Sequence, residues 1–252
     1  MFTNAIVRTP GPNAAEGLTT VTQGKPDHAL LLSQHAAYVK TLSALGLQLT
    51  ELPPLEAHPD AWFVEDAALV FPELAVVTRP GATQRRAEAE ALSSTIAKFR
   101  RLTRLSAPAT LDGGDVLQLG RQVFVGLSER TNAEGATQLS ALLKPHDYTV
   151  SAIPVPAGLH LKSSVTAAGP ELLVLTAAMS ARAEFSGFQQ VVVPDDEAYA
   201  ANVLFVNGTV LMADGFPRTR ALLGRLGVTT EVLNQSEVAK MDGALTCLSV
   251  RF

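Results

Sequence analysis

The chain has 252 residues, of which 47% are hydrophobic and 17% are charged, and its formal net charge is -4. This balance gives no electrostatic reason to expect nucleic acid or a membrane surface as a partner. No apolar run approaches the roughly 20 residues that span a bilayer, and the N-terminus shows no signal-peptide pattern. One cysteine cannot form an internal disulfide, so we expect a cytoplasmic protein. We also expect a single domain over residues 1–252.

The predicted elements repeat in one order: two short strands, a helix and a third strand. Apolar residues recur on one face of the first helix, and Thr131-Asn-Ala-Glu134 forms a capping box that opens the second helix. The elements of the first three units are strands on either side of 71–74, a helix at 83–100 and a strand at 102–106; strands at 116–119 and 122–126, a helix ending before Pro145 and a strand at 148–155; and strands at 161–166 and 172–176, a short helix near 180–187 and a strand at 191–193.

The last two units continue the pattern, and the fifth joins the two ends of the chain. Asn207-Gly208 between two apolar runs is a strong hairpin signal, and the helix that follows has proline at its start and glycine at its end. The predicted elements are strands at 203–206 and 209–212 with a helix from Pro217 to Gly227, and then residues 244–252 paired with 5–8, a helix at 27–45 and a strand at 47–52.

Side chains that can carry chemistry recur at the start of the first strand in each unit. They are separated by intervals of 42 to 48 residues, and they are Glu65-Asp66, Asp112, His160, Asn202 and Cys247. Near-equal units favour a pseudo-symmetric ring over an open doubly wound sheet. The sequence therefore predicts an α/β ring of five units, in which these residues face a common axis.

Cys247 and His160 are the candidates for covalent chemistry. A lone cysteine is most often a small buried hydrophobe, and a lone histidine is most often structural. Their positions in the repeat favour a functional role for both residues. If the extended backbone of the strand predicted at 161–166 already includes the preceding residue, His160 and Lys162 share one face of it.

Carboxylates are predicted to surround this thiol and imidazole. Asp112-Gly-Gly-Asp115 lies on a glycine-rich turn, and Glu65-Asp66 interrupts an apolar run, where a buried acid needs a cationic or hydrogen-bonding partner. A guanidinium is a planar cation whose N–H groups match carboxylates, so the set suits attack of a thiol on a guanidinium carbon. The chain has no His-Glu-x-x-His motif, cysteine pair, phosphate loop or Gly-x-Gly-x-x-Gly motif, and we expect neither a metal nor a cofactor.

These residues and their neighbours resemble the dimethylarginine dimethylaminohydrolase family of the pentein group. The resemblance covers nearly the whole chain, and its motifs are specific in combination: Phe63–Asp66, Thr78–Arg86, Leu111–Asp115, Arg130–Gly135, Leu159–Lys162 and Met241–Cys247. It implies a five-bladed α/β propeller, called the pentein fold. It also implies hydrolysis of Nω-methylated L-arginines to L-citrulline and methylamines, with a small guanidinium molecule as the partner. The sequence leaves the oligomeric state open, and a homo-oligomer is one of the states that it allows.

The resemblance further implies a role for each residue that matches a family motif. Cys247 would be the nucleophile, His160 the general acid and base, and Asp112 the group that orients His160 and the substrate. Glu65 and Asp66 would bind the guanidinium of the substrate. Asp60, with the backbone carbonyls of Leu18 and Met241, would bind its α-ammonium. Arg85 and Arg130 would bind its α-carboxylate. The polar segment 14–26 would serve as a lid.

Two other functions stay open at this point. A related deiminase or dihydrolase would act on arginine, agmatine or a hydroxylated arginine, although agmatine has no carboxylate for Arg85 and Arg130 to bind. A non-catalytic pentein would bind a large partner, as ribosome-binding members do. That function does not require a thiol, an imidazole and a carboxylate together at the ring positions.

Overall fold

The computed structural model describes residues 1–155 and 158–252, and within these residues fifteen strands form five three-stranded sheets. The strands are β1 Asn4–Arg8, β2 Gln48–Leu52, β3 Ala68–Val70, β4 Ala75–Val77, β5 Leu102–Arg104, β6 Val116–Leu119, β7 Gln122–Leu127, β8 Thr149–Pro154, β9 Val165–Ala167, β10 Leu172–Leu175, β11 Gln189–Val192, β12 Leu204–Val206, β13 Thr209–Ala213, β14 Thr229–Leu233 and β15 Val250–Arg251. The α-helices are α1 His28–Ala44, α2 Arg86–Ile96, α3 Ala133–Leu143, α4 Ala177–Ser180, α5 Pro217–Arg225 and α6 Ser236–Ala239.

All five sheets share one topology. The middle strand pairs antiparallel with the first strand and parallel with the third, as in the sheet β3-β4-β5. The last sheet has the order β15-β1-β2, so that Ala5 of the N-terminal strand pairs with Arg251 of the C-terminal strand. This arrangement confirms the predicted α/β propeller and the closure of the fifth unit by the chain ends. The strand expected over 244–252 is limited to Val250–Arg251, because Leu245–Leu248 form a 3₁₀ turn.

A short 3₁₀ turn precedes the first strand of each sheet, and the predicted ring residues lie within or directly beside these turns. These turns span Val64–Ala67, Gly113–Asp115, Leu161–Ser163, Asp195–Ala201 and Leu245–Leu248. The turn at 64–67 contacts both the turn at 113–115 and the turn at 245–248. The ring therefore brings the first and last units side by side.

The prediction of a strand at 161–166 is wrong at its start, and so is the expected strand-like alternation of His160 and Lys162. Ser163 N–H donates to the His160 carbonyl, which closes a turn, and Leu161 N–H donates to Asp115 Oδ1 over 2.8 Å. Leu161 and Lys162 are both buried, so neither face of this segment points to solvent. The strand begins only at Val165.

Helix starts also differ from the prediction in detail. Asn132, not Thr131, caps α3, because its side chain accepts from Gly135 N–H. Thr131 Oγ1 accepts instead from the Asp112 backbone N–H over 3.1 Å. The first turn of the helix predicted at 83–100 is 3₁₀ from Thr83 to Arg85, and α2 itself begins at Arg86.

The core is divided among five clusters of buried apolar side chains. Examples are Tyr38 and Leu42 of α1, which pack with Leu248 from the turn that carries Cys247. Burying a large apolar side chain contributes about 1.5–3 kcal/mol, so this packing stabilises the position of the turn. None of the helices in the described ranges combines the length and apolarity that a bilayer crossing demands.

Candidate active site

Most of the predicted site residues line one cavity. They are Leu18, Asp60, Asp66, Arg85, Arg130, His160, Met241 and Cys247. The remaining two, Asp112 and Glu65, are not among the lining residues, but Asp112 contacts His160 and Glu65 contacts Lys162. Sequence reasoning did not predict four further lining residues, namely Phe63, Leu159, Asp242 and Gly243.

Cys247 lies in the 3₁₀ turn Leu245–Leu248, and its N–H donates to the Ala244 carbonyl over 3.1 Å. Burial, with the negative charges of Glu65 and Asp66, raises the pKa of the thiol to about 12. A thiolate is the nucleophilic form of cysteine. In the empty site the sulfur is therefore protonated at neutral pH, and it needs a nearby positive charge to ionise.

His160 lies beside two carboxylates. Its Nε2 is 3.0 Å from Asp112 Oδ2 and 4.0 Å from Asp66 Oδ1. Burial alone would lower the pKa of this imidazole, but Asp66, Asp112 and Asp115 raise it to about 9. His160 is therefore an imidazolium at neutral pH, which suits a general acid.

The Asp112 and Asp66 carboxylates are fixed by several donors. Asp112 Oδ1 accepts from Gly81 N–H over 2.9 Å, and Asp66 Oδ1 accepts from Gly114 N–H over 2.9 Å. Burial disfavours the charged form of Asp66, but His160 and Arg85 hold its pKa well below the usual range. Both carboxylates are therefore held in place, and Asp66 also lines the cavity.

Gly114 is required by the close approach of its neighbours. A Cβ atom at this position would lie 2.6 Å from His160 Nδ1 and 2.9 Å from Asp66 Oδ1, which is closer than real Cβ contacts allow. Gly114, the second glycine of the Asp-Gly-Gly-Asp motif, thus lets the imidazole of His160 pack directly on the turn that follows Asp112.

Arg85 and Arg130 differ in how many hydrogen bonds their guanidinium groups donate to the described residues. Arg85 is buried and donates to four acceptors, which are Asp66 Oδ2 at 2.7 Å, Glu88 Oε2 at 2.9 Å, the Phe63 carbonyl at 3.2 Å and the Asp60 carbonyl at 3.3 Å. The nearest acid to Arg130 is Asp112, 3.8 Å away, and the Arg130 side chain is 18% exposed. Among the described residues no acceptor takes a hydrogen bond from the Arg130 guanidinium, so its donors are available to a ligand.

The segment 14–26 lies across the cavity and is held on both sides. Leu18 N–H donates to both oxygens of Asp60, at 3.0 and 3.1 Å. Thr20 N–H donates to Asp242 Oδ2 over 2.5 Å, and Thr19 Oγ1 donates to the Lys240 carbonyl over 3.0 Å. Leu18 of this segment lines the cavity, whose volume of about 20 Å³ is enough for roughly one water molecule.

Asp66, Asp112 and His160 each place an atom of metal-ligand type within 4.8 Å of the others. These atoms already pair with one another, with Arg85 and with backbone N–H groups. The chemistry of this donor set therefore fits proton transfer better than metal binding.

Comparison with known proteins places this ring and its centre in a class. A family model described as arginine deiminase matches residues 82–196. The N-terminal domain of an arginine dihydrolase from the ornithine–ammonia cycle in cyanobacteria superposes with a TM-score of 0.88 at 18% identity, over 98% of this chain and 97% of that chain. The fold is that of the penteins.

Closer relatives define the family. The N(G),N(G)-dimethylarginine dimethylaminohydrolase of Pseudomonas aeruginosa is 39% identical over 100% of both chains, and that of Streptomyces coelicolor is 41% identical over 98% of this chain and 96% of its own. A cysteine-to-serine variant of the Pseudomonas enzyme in complex with citrulline superposes over the full length of both chains with a TM-score of 0.98. The chain belongs to the dimethylarginine dimethylaminohydrolase family.

Proposed function

We propose that this protein hydrolyses Nω-methylated L-arginines to L-citrulline and a methylamine through a covalent intermediate on Cys247. The observation that carries the proposal is the shared cavity of Cys247 and His160, with the Asp66 carboxylate beside them. Full-length relatives bear the name of this activity, and the Pseudomonas enzyme has been seen with citrulline. We further propose a single catalytic domain over residues 1–252 that acts in the cytoplasm.

The substrate would bind with its two ends in different parts of the cavity. The Asp66 and Glu65 carboxylates would hold the guanidinium, and the α-carboxylate would bind Arg130 with the remaining donor of Arg85. The α-ammonium would bind Asp60 with the carbonyls of Leu18 and Met241. The lid contact of Leu18 with Asp60 would then close the site over the bound amino acid.

The first half of the reaction forms a bond from sulfur to carbon. The positive guanidinium favours ionisation of Cys247, whose proton passes to solvent, and the thiolate attacks the guanidinium carbon. The imidazolium of His160 then protonates the methylated nitrogen, and the bond from carbon to that nitrogen breaks. Dimethylamine leaves, and a cationic thiouronium remains on Cys247.

The second half releases the product. His160, now neutral, takes a proton from water while the water oxygen attacks the thiouronium carbon. The carbon–sulfur bond breaks, citrulline is released, and the second proton of the water returns to the sulfur. The enzyme is then again a thiol with an imidazolium, the form that the empty site stabilises.

A related deiminase or dihydrolase activity remains the second candidate, because unmethylated arginine has the same guanidinium and amino-acid groups. The experiment that separates the two is analysis of the amine released from dimethylarginine, monomethylarginine, arginine and agmatine. We expect dimethylamine and methylamine in preference to ammonia. Preferential release of ammonia from arginine or agmatine would contradict the proposal, and lack of turnover with all four would favour a binding protein.

A further inference from the structure

Two cationic side chains, Lys162 and Arg251, converge on one oxygen of Glu65. Lys162 Nζ donates to Glu65 Oε1 over 2.6 Å, and Arg251 Nη2 donates to the same oxygen over 3.2 Å. Lys162 follows His160 by two residues, and Arg251 follows Cys247 by four. The second oxygen, Glu65 Oε2, is buried and has no hydrogen-bond partner in the described structure.

Arg251 also braces the turn that carries the nucleophile. Its Nη1 donates to the Thr246 carbonyl at 3.2 Å, to the Ser249 carbonyl at 2.6 Å and to Ser249 Oγ at 2.7 Å. Thr246 and Ser249 flank Cys247 on both sides. One guanidinium therefore connects the Cys247 turn to the carboxylate of Glu65.

Asn202, the ring position with no assigned chemistry, completes the connection between turns. Its Nδ2 donates to the Lys162 carbonyl over 2.9 Å and to Thr246 Oγ1 over 3.0 Å, and its Oδ1 accepts from Thr246 N–H over 3.2 Å. The Lys162 backbone is thus held to the Cys247 turn while the Lys162 side chain is held to Glu65. The lysine has little freedom to move away from this carboxylate.

We propose that Lys162 and Arg251 are positioning residues, which hold Glu65 Oε1 so that Oε2 remains available to an N–H group of the guanidinium bound beside Cys247. This inference rests on the proposed function. A buried carboxylate oxygen without a donor costs free energy, and a guanidinium N–H in the complex removes that cost. The two cations also hold the His160 and Cys247 turns in a fixed relation to this acceptor.

The charges of Lys162 and Glu65 act on the thiol in opposite directions. Glu65 raises the pKa of Cys247 and Lys162 lowers it, although burial is the larger influence. Loss of Lys162 should therefore make the thiol harder to ionise, and loss of the Glu65 charge should make it easier. A substitution that only lowered the stability of the fold would not move the pKa of the thiol in opposite directions for these two residues.

The test combines Lys162→Met, Lys162→Arg and Arg251→Lys with Glu65→Gln, and Lys144→Met is the control for loss of an exposed lysine. We expect Lys162→Met to lower kcat for dimethylarginine by about tenfold or more with KM changed by less than about threefold. Lys162→Arg should restore most of this loss. In the Glu65→Gln background, Lys162→Met should cost little more, because the two residues act as one unit.

The second measurement is the pH dependence of Cys247 alkylation by iodoacetamide, which needs no turnover. We expect the midpoint to move to higher pH in Lys162→Met and to lower pH in Glu65→Gln. Folded Lys162→Met with kcat within about twofold of the parent and an unchanged alkylation midpoint would overturn the inference. If that variant does not fold, Arg251→Lys is judged by the same two measurements. Absence of methylamine release by the parent would instead contradict the proposed function, and alkylation would still test the role of Lys162.

Discussion

The His160 imidazole and the Asp112 carboxylate form a direct contact of 3.0 Å between Nε2 and Oδ2. The other Asp112 oxygen accepts from Gly81 N–H, so the carboxylate cannot turn away from the ring. Asp112 is fully buried, and its charge acts on the imidazole with little screening by water. The contact fixes the orientation of His160, while Asp66, Asp112 and Asp115 together raise the pKa of the imidazole.

Asp112→Asn should therefore lower the pKa of His160 from its value of about 9. The imidazolium form would then be lost at lower pH, so the alkaline limb of kcat should move to lower pH. Loss of general-acid function lowers rates by about 10²- to 10⁴-fold, which sets the largest decrease expected in kcat. The measurements are the pH profile of kcat and an NMR titration of His160.

Asp147→Asn is the matched control, because Asp147 is exposed and its left-handed backbone, with φ of 60°, suits asparagine. This control should leave both the profile and the titration unchanged. A His160 titration midpoint in Asp112→Asn equal to that of the parent would contradict the role of Asp112.

The two arginines should respond differently to truncation. Arg130→Ala removes a guanidinium with unengaged donors, so we expect a loss of about 1.5–3 kcal/mol in binding of a substrate with an α-carboxylate. This corresponds to a rise in KM of about 10- to 150-fold. A decarboxylated methylated guanidine should be indifferent to this change, and Arg220→Ala, at an exposed position, should affect neither substrate.

Arg85→Ala should instead lower stability and impair both substrates. The variant would leave Asp66 and Glu88 buried without their shared cation, and breaking a buried ion pair typically costs about 3–5 kcal/mol. Thermal unfolding with KM for both substrates checks this expectation. A stable Arg85→Ala protein that loses only recognition of the carboxylate would show that the ion pairs are not the main role of Arg85.

The ring and its centre could be predicted from the sequence because unit order and the spacing of the functional residues are both visible in it. The partners of Glu65 could not be predicted in this way. Lys162 is 97 residues away and Arg251 is 186 residues away, and no local pattern joins such positions. The pair of Arg85 and Glu88 had a signal, since residues three apart meet on a helix. That spacing could have indicated that Arg85 is engaged.

The ionisation of Cys247 should depend on the ligand. The pKa of about 12 in the empty site reflects burial and the charges of Glu65 and Asp66, and a bound guanidinium adds a positive charge that favours the thiolate. At 4 Å and an effective dielectric of 20, one charge is worth about 4 kcal/mol, or roughly three pKa units. Thiolate absorbance titrated with and without an unreactive guanidinium ligand should show the midpoint fall when ligand binds. A low midpoint without ligand, unchanged on binding, would instead indicate a preformed thiolate–imidazolium pair.

The covalent step through Cys247 is tested most directly by mass spectrometry of the protein quenched in acid during turnover of dimethylarginine. We expect an adduct on the peptide that contains Cys247, with the added mass of the substrate less the departed dimethylamine. Cys247→Ser should fold and show neither adduct nor turnover, because an alcohol is a far weaker nucleophile than a thiolate. Release of dimethylamine by the parent with an adduct on another residue, or by Cys247→Ser at the parent rate, would contradict the account.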